Sequence, residues 1–282
     1  MNSCAKWLED HGYGSLVHTE SLAGGCINDV RRIHLDSGQT LVLKQNSHAP
    51  HDMFSAEAAG LQALAEVGAC RVPEVIHAEP GFILLEDLGS GTATTDYFTL
   101  LGSQLAILHR HERPQFGFTV DNYCGATPQC NTSDSDGHRF FGEHRILALA
   151  RKSQQQGLLS TQELARAESI AGNLSRWIPQ MPATLIHGDL WSGNVHCDEK
   201  GQPALVDPAS YWGWAEAELA MTDLFGGFPA IFYQAYESES GIASDWRDRA
   251  ALYNLYHLLN HLLLFGSSYH ASVVSILHRY RD

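Results

Sequence analysis

One stretch constrains this chain more than any other: Leu185-Ile186-His187-Gly188-Asp189-Leu190-Trp191-Ser192-Gly193-Asn194, with Leu205-Val206-Asp207 a little downstream. A short apolar run delivers an Asp to a loop, and an Asn follows five residues later. A second apolar run, opened by the turn residues Gly201 and Pro203, delivers another Asp. The runs have the length of buried strands, so each acid is expected just past a strand end. A lone Asp-x4-Asn arises often by chance. Set after an apolar strand, with His-Gly in front and strand-Asp-Pro behind, it is specific.

Phosphoryl transfer needs this set of groups: a carboxylate to take the acceptor hydroxyl's proton, and oxygen ligands for Mg²⁺ against the phosphates. The Asp-to-Asn spacing equals that of the protein-kinase catalytic loop. On its residues alone the chain therefore reads as a kinase of a small molecule.

The rest of the sequence sets bounds. A length of 282 residues suits one two-lobed unit or two modest domains, and 44% apolar with 18% charged residues is ordinary for a globular chain. Lys+Arg 18 against Asp+Glu 32 leaves a net charge of −14, which argues against non-specific nucleic-acid binding and means that a phosphate site must be built locally. The start lacks a basic stretch followed by an apolar run, and no apolar segment reaches about 18 residues, so neither a signal peptide nor a membrane span is expected, and the protein is placed in the cytoplasm. Cysteines 4, 26, 70, 124, 130 and 197 form no CxxC pair. Free thiols are therefore expected, and spacing offers no zinc site.

Taken in order, the chain first shows a short amphipathic helix closed by Gly12 and Gly14. Ser21 to Ile33 then alternates on both sides of Gly24-Gly25, as in a hairpin whose glycines either form an ordinary turn or let the backbone approach a ligand. Thr40 to Gln45 is a strand carrying Lys44, and Phe54, Ala58, Leu61, Leu64 and Ala65 recur at helical spacing with Glu57 near the start of that helix. Lys44 and Glu57 have the order and element types of the lysine–glutamate ion pair that positions a phosphate-binding lysine. Two further strands lead to a polar-Gly junction at Glu86-Asp87-Leu88, the natural place for a hinge whose backbone groups hold an adenine edge. Tyr97 to His109 is an amphipathic helix whose Leu-His end is expected under the Asp189 loop. Residues 116–138 form a loop too long for a mere connector, either a cover for the acceptor site or an insertion. Helices are expected over 139–157 and 161–177, and the last 70 residues read as buried helices.

These residues resemble the fructosamine kinases, or ketosamine-3-kinases, within the protein-kinase-like, aminoglycoside-phosphotransferase-like fold. The matching stretches are Gly24 to Asn28, Phe54 to Leu64, Phe116 to Gln129, His187 to Asn194, Tyr211-Trp212-Gly213, Leu219-Ala220-Met221 and Tyr253 to His261, nearly the whole chain. The resemblance implies an α+β, two-lobed fold. A nucleotide-binding lobe (1–88) would hold a small antiparallel sheet and one key helix, and a mainly helical lobe (89–282) the catalytic and acceptor sites. It implies ATP-dependent phosphorylation, with Mg²⁺, of the 3-hydroxyl of a fructosamine or ribulosamine, free or on a protein, by a monomer or weak homodimer. Asp189 would be the base, Asn194 and Asp207 the metal ligands, Lys44 oriented by Glu57 the phosphate contact. Gly24, Gly25 and Glu86 to Leu88 would hold the nucleotide, and Trp191, Tyr211 and Glu216 the acceptor. For Trp191 a packed loop anchor is the other reading.

One segment departs from the family pattern. Where the family usually carries Arg-Glu and then Asp two residues on, this chain reads Ala215-Glu216-Ala217-Glu218. If the Arg at the position of Ala215 helps order the site or the acceptor, a different substrate range or a low activity is expected. Cys26, in the glycine loop, would sit among backbone amides that favour thiolate, so it is either redox-sensitive, through a disulfide between two chains, or simply a small loop residue. The alternatives kept open are a kinase of an aminoglycoside, choline or a free sugar, and a nucleotide-binding pseudokinase.

Overall fold

The computed structural model describes residues 2–22 and 27–280; Gly24, Gly25 and Cys26 lie outside that set. Its first lobe opens with helix α1 (Asn2–Asp10) and the strands β1 (Leu16–Ser21), β2 (Asp29–Leu35) and β3 (Thr40–Gln45). Helix α2 (Met53–Val67) follows, ending on Gly68 in the left-handed conformation that closes helices, and then β4 (Val75–Glu79) and β5 (Phe82–Glu86). The five strands form one antiparallel sheet in the order β1-β2-β3-β5-β4.

Period-two alternation decides what each face of this sheet carries. Leu41 and Leu43 of β3, with Phe82 and Leu84 of β5, pack with Cys4 and Leu8 of α1. Ile83 and Leu85 point the other way and join Phe54, Ala58, Leu61 and Leu64 of α2. Lys44 is out of step with Leu41 and Leu43, so it faces α2 and its glutamate. The apolar run of β5 is thus buried on both faces, which is why it reads as continuous rather than alternating.

The second lobe begins with α3 (Tyr97–His109), a two-residue strand β6 (Glu112–Arg113) and the hairpin β7 (Asn122–Cys124) and β8 (Thr127–Gln129). A long helix runs from α4 (Gly137–Phe141) through a π-helical segment (Gly142–Leu147) into α5 (Ala148–Gln155), and α6 (Thr161–Gly172) starts on a Ser160–Glu163 capping box. The strand β9 (Ala183–Ile186) leads to the Asp189 loop, and the hairpin β10 (Val195–Cys197) and β11 (Pro203–Leu205) leads to Asp207. Strand β12 (Tyr211–Gly213) pairs with β9, and helices α7 (Ala215–Leu224), α8 (Ala230–Ser240), α9 (Trp246–Phe265) and α10 (His270–Arg279) complete the lobe. The long 116–138 segment is ordered by β7–β8 and by Arg145, wholly buried inside the lobe. Arg145 stacks on Tyr211 at 3.9 Å and donates to Cys130 O and Asn131 Oδ1.

The apolar core does not stop at the junction. Phe54, Leu61 and Ile83 of the first lobe share one cluster with Leu101, Leu105, Leu185, Leu190, Leu219 and Phe232 of the second. Within it α3 and α8 approach closely at Gly102, where an added Cβ would come within 2.3 Å of the backbone oxygen of Phe232 and 3.1 Å of Ala235 Cβ. Gly102→Ala is expected to destabilise the protein by about 1–3 kcal/mol in denaturant unfolding, although alanine is the better helix former. A neutral or stabilising result would mean that the two helices do not pack this closely.

Candidate functional site

The two acids of the sequence motif meet because their loops are tied to each other. His187 donates from Nε2 to Val206 O at 2.8 Å and accepts at Nδ1 from the Asp189 N–H at 3.3 Å, while the Val206 N–H donates to Asn194 O at 3.0 Å. Burial, the largest influence, holds His187 below the usual histidine pKa, and the neutral ring has both nitrogens satisfied by these bonds. Gly188 sits at φ +84° with an added Cβ only 2.2 Å from Ala209 O, so the turn into Asp189 accepts glycine alone.

Beneath the loop lies a carboxylate that holds it. Glu218 of α7 accepts the His187 N–H at 3.0 Å and the Gly188 N–H at 2.7 Å. Its Oε2 also lies 3.0 Å from Nε2 of His109, the last residue of α3, which reaches Tyr236 on its other nitrogen. Burial would raise the Glu218 pKa, but the hydrogen bonds from the His109 ring and the His187 N–H oppose it, and the pKa lies below the ordinary glutamate value. Glu218, at the position where the family usually has Asp, thus serves as the loop's brace, and the Leu-His end of α3 lies under the loop as its sequence suggests.

Asp189 itself is deeply set. Burial, then the charge of Asp207, pushes its pKa up to about 7, against hydrogen bonds from Asn194 and Cys124. Asn194 donates to Asp189 O at 2.8 Å and to Oδ2 at 3.3 Å. Asp207 is the one non-glycine among the described residues with a positive φ, +58°, a costly conformation directly before Pro208 and at a site where strain is commonly stored.

Lys44 joins the lobes. Its Nζ lies 2.5 Å from Glu57 Oε1 and 2.5 Å from Asp207 Oδ1, with the lysine side chain only 5% exposed. Burial opposes its charge, but the two carboxylates prevail and hold its pKa above the ordinary value. The expected Lys44–Glu57 pair is present, with Asp207 as an additional partner.

Two clefts meet at this cation. One, about 290 Å³, is walled by Leu22, Val30, Val42, Leu85, Val195 and Val206 and floored by Glu86 to Leu88. The Leu88 carbonyl is taken by the Glu199 N–H at 2.9 Å, the Glu86 N–H by Glu74 O at 2.9 Å, and the Asp87 side chain by Arg32 at 2.6 Å. The other cleft, about 190 Å³, holds Asp189 and Asn194 among Tyr123, Cys124, Trp191, Asn260, His261 and Phe265. Lys44, Val30 and Asp207 line both. The first cleft is lined mainly by apolar side chains with a cation at its inner end, and the second mainly by polar and aromatic ones around Asp189.

The oxygens Asn194 Oδ1 and Asp207 Oδ2 accept no hydrogen bond from the described residues, and the Asp207 side chain is 43% exposed toward the clefts. Two hard oxygen donors beside a phosphate position fit Mg²⁺.

Two acceptor residues implied by the resemblance are corrected. Tyr211, 2% exposed, pairs with Ile186 in the β12–β9 ladder and lies under Arg145. Glu216, 3% exposed, is consumed by Arg249 at 2.6 and 2.7 Å and by the Tyr253 hydroxyl at 2.9 Å. Neither reaches the cleft, because α7 points Glu216 into the lobe and the strand pleat points Tyr211 the same way. Trp191 does line the cleft, and its ring also packs on Gly193, where an added Cβ would lie 2.3 Å from the indole, so it is both wall and anchor. Sequence reasoning missed Tyr123, Cys124, Asn260 and His261 as wall residues. Their stretches matched the family, yet the helical spacing of 253–261 reads as core.

A site so built, in a two-lobed fold with a lysine-bearing antiparallel sheet, defines a phosphotransferase of the protein-kinase-like class. The model of the fructosamine kinase family matches residues 1–282, and the chain belongs to that family. It is 40% identical over 265 residues to a probable ketoamine kinase of Synechocystis sp., covering 91% of this chain and 88% of that protein. It is 35% identical over 286 residues to the chloroplastic protein-ribulosamine 3-kinase of Arabidopsis thaliana, covering 98% and 86%. A candidate fructosamine-3-kinase structure from Thermobifida fusca superposes with a TM-score of 0.88 at 30% identity, covering 99% and 98%. Among the described residues no helix is long and apolar enough to cross a membrane.

Glu218→Gln replaces one acceptor oxygen by an NH₂ facing backbone N–H donors. A stability loss of about 2–4 kcal/mol is expected, with activity falling further than the unfolded fraction explains. Unchanged stability and turnover would remove Glu218 as the brace.

Proposed function

We propose that this protein is an ATP-dependent ketosamine 3-kinase, transferring the γ-phosphoryl group to a sugar hydroxyl of a fructosamine or ribulosamine carried on a free or protein-bound amine. The observation that carries this reading is the meeting of the two clefts at Lys44 and Asp207, with Asp189 on the acceptor side. It rests also on the family match and on relatives named for ketoamines and ribulosamines.

In this reading residues 1–88 form the nucleotide-binding lobe and 89–282 the catalytic lobe. ATP lies in the first cleft with its adenine against Val30, Val42, Leu85 and Val206 and its phosphates toward Lys44, which Glu57 keeps oriented and charged. Mg²⁺ held by Asn194 and Asp207 neutralises phosphate charge. The acceptor hydroxyl sits at Asp189, whose carboxylate takes the proton as the oxygen attacks in line. Trp191 closes the side of the cleft that a sugar ring would face. With little covalent chemistry to perform, the protein contributes position and electrostatics. A cytoplasmic setting belongs to this reading and agrees with the unpaired state of the five described cysteines.

The first test is ADP release with Mg-ATP and, separately, a fructosamine, a ribulosamine, a free sugar, choline and an aminoglycoside. Turnover is expected on the ketosamines and is expected to fall by about 10²–10⁴ in Asp189→Asn with the fold intact. Turnover confined to another acceptor, or unchanged in the variant, would overturn the substrate or the base respectively.

The raised pKa of Asp189 gives a second test. The group becomes a competent base only as it loses its proton, so kcat/KM should rise with pH through about 7 and level off above it. Because the folded pKa lies above the ordinary aspartate value of 3.8, the native state binds the extra proton between those values, and ionising Asp189 costs stability as pH rises from about 4 to about 7. Asp189→Asn should therefore gain in melting temperature over the parent across that interval and keep a constant advantage at higher pH. A pH-independent difference would contradict the shift.

A further inference from the structure

We propose that Cys124, His257 and Asp189 form a three-ligand site for a soft divalent cation, of which zinc is the fitting case, at the floor of the acceptor cleft, and that filling it shuts the enzyme. The closing of activity rests on Asp189 being the base; the site itself does not.

The three residues come from the end of β7, the loop after β9 and the middle of α9, yet their ligand atoms all lie within 4.8 Å of one another. Zinc bonds of about 2.0–2.3 Å to nitrogen, oxygen and sulfur place tetrahedral ligands about 3.3–3.8 Å apart, so the cluster has to close by about 1 Å. A second observation concerns the same histidine. His257 is 5% exposed and its Nδ1 has no hydrogen-bond partner, which is unusual for a buried imidazole. Asn260, which donates to Cys124 O at 3.2 Å, leaves a further buried acceptor, Oδ1, without a partner. The phosphoryl transfer described above gives His257 no part.

The ligand chemistry is that of a soft or borderline cation. Burial, with the neighbouring charges of His261 and Arg145, pushes the His257 pKa down to about 3, so its ring is neutral and its lone pair available. Cys124 binds as thiolate, its proton passing to water, and Asp189 binds as carboxylate. Mg²⁺ prefers oxygen ligands in octahedral array, so this sulfur–nitrogen–oxygen set does not compete with Asn194 and Asp207 for it. Three protein ligands leave a fourth position, which opens on the cleft that Cys124 and Asp189 line. With its carboxylate charge neutralised by the cation, Asp189 is too weak a base to take the acceptor proton.

The test is titration of metal-stripped, nucleotide-free protein with Co²⁺. One equivalent is expected to give a thiolate-to-cobalt charge-transfer band that Zn²⁺ displaces. Cys124→Ser should abolish the band, Cys130→Ser and Cys197→Ser should keep it, and His257→Gln should weaken binding about tenfold or more, with circular dichroism confirming that each variant is folded. No band, or a band that survives Cys124→Ser, overturns the site. In turnover with Mg-ATP, one equivalent of Zn²⁺ should inhibit the parent. His257→Gln, compared with its own zinc-free rate, should need about ten times more. Binding without inhibition would retain the site and overturn its effect on catalysis.

Discussion

A buried lysine shared by two carboxylates holds the working parts of this molecule in register. Lys44 comes from the sheet, Glu57 from helix α2 of the first lobe and Asp207 from the second lobe, so one ammonium group aligns three separate elements. A charge so removed from water is tolerated only while its partners remain, and losing one partner leaves an unpaired ion at a cost of about 3–5 kcal/mol. The position of the pair also sets the chemistry. It lies where the two clefts touch, so whatever fills one is presented to the other across Lys44 and Asp207.

The second lobe answers with a network of buried polar groups around the two acid-bearing loops. Glu218 gathers two loop amides and the end of α3, His187 stitches the two acid-bearing loops together, and Arg145 fixes the segment that carries Tyr123 and Cys124 to the cleft. Such networks are expensive where a partner is missing and rigid where none is, and rigidity is what positioning catalysis needs. The departure at Ala215 has a local counterpart. Glu216 next to it finds its guanidinium on α9, in Arg249, inside the lobe rather than at the acceptor.

How much of this was legible beforehand follows from the range over which each signal acts. The His187–Asn194 motif, Asp207, the strand with Lys44 and the helix with Glu57 are local patterns, readable from alternation and helical spacing and strengthened by their resemblance to one family. Tyr211 and Glu216 were misplaced because a motif match says that a residue belongs to the family pattern, not which way its side chain points. Cys124, Asn260 and His257 passed unnoticed as neighbours of Asp189, because nothing in the spacing of 124, 189 and 257 ties them together.

The sequence by itself determined the class of chemistry and the identity of the charged groups, since periodicity and motif order act over a few residues and survive without tertiary contacts; the two lobes came from its resemblance to one family. Only the tertiary structure decided that Asp207 shares Lys44 with Glu57, that Glu218 carries the loop, and that the buried Asp189 titrates near neutrality beside a thiol and an unpartnered imidazole. Those properties arise from desolvation and from contacts between residues up to 163 positions apart, which no local pattern encodes.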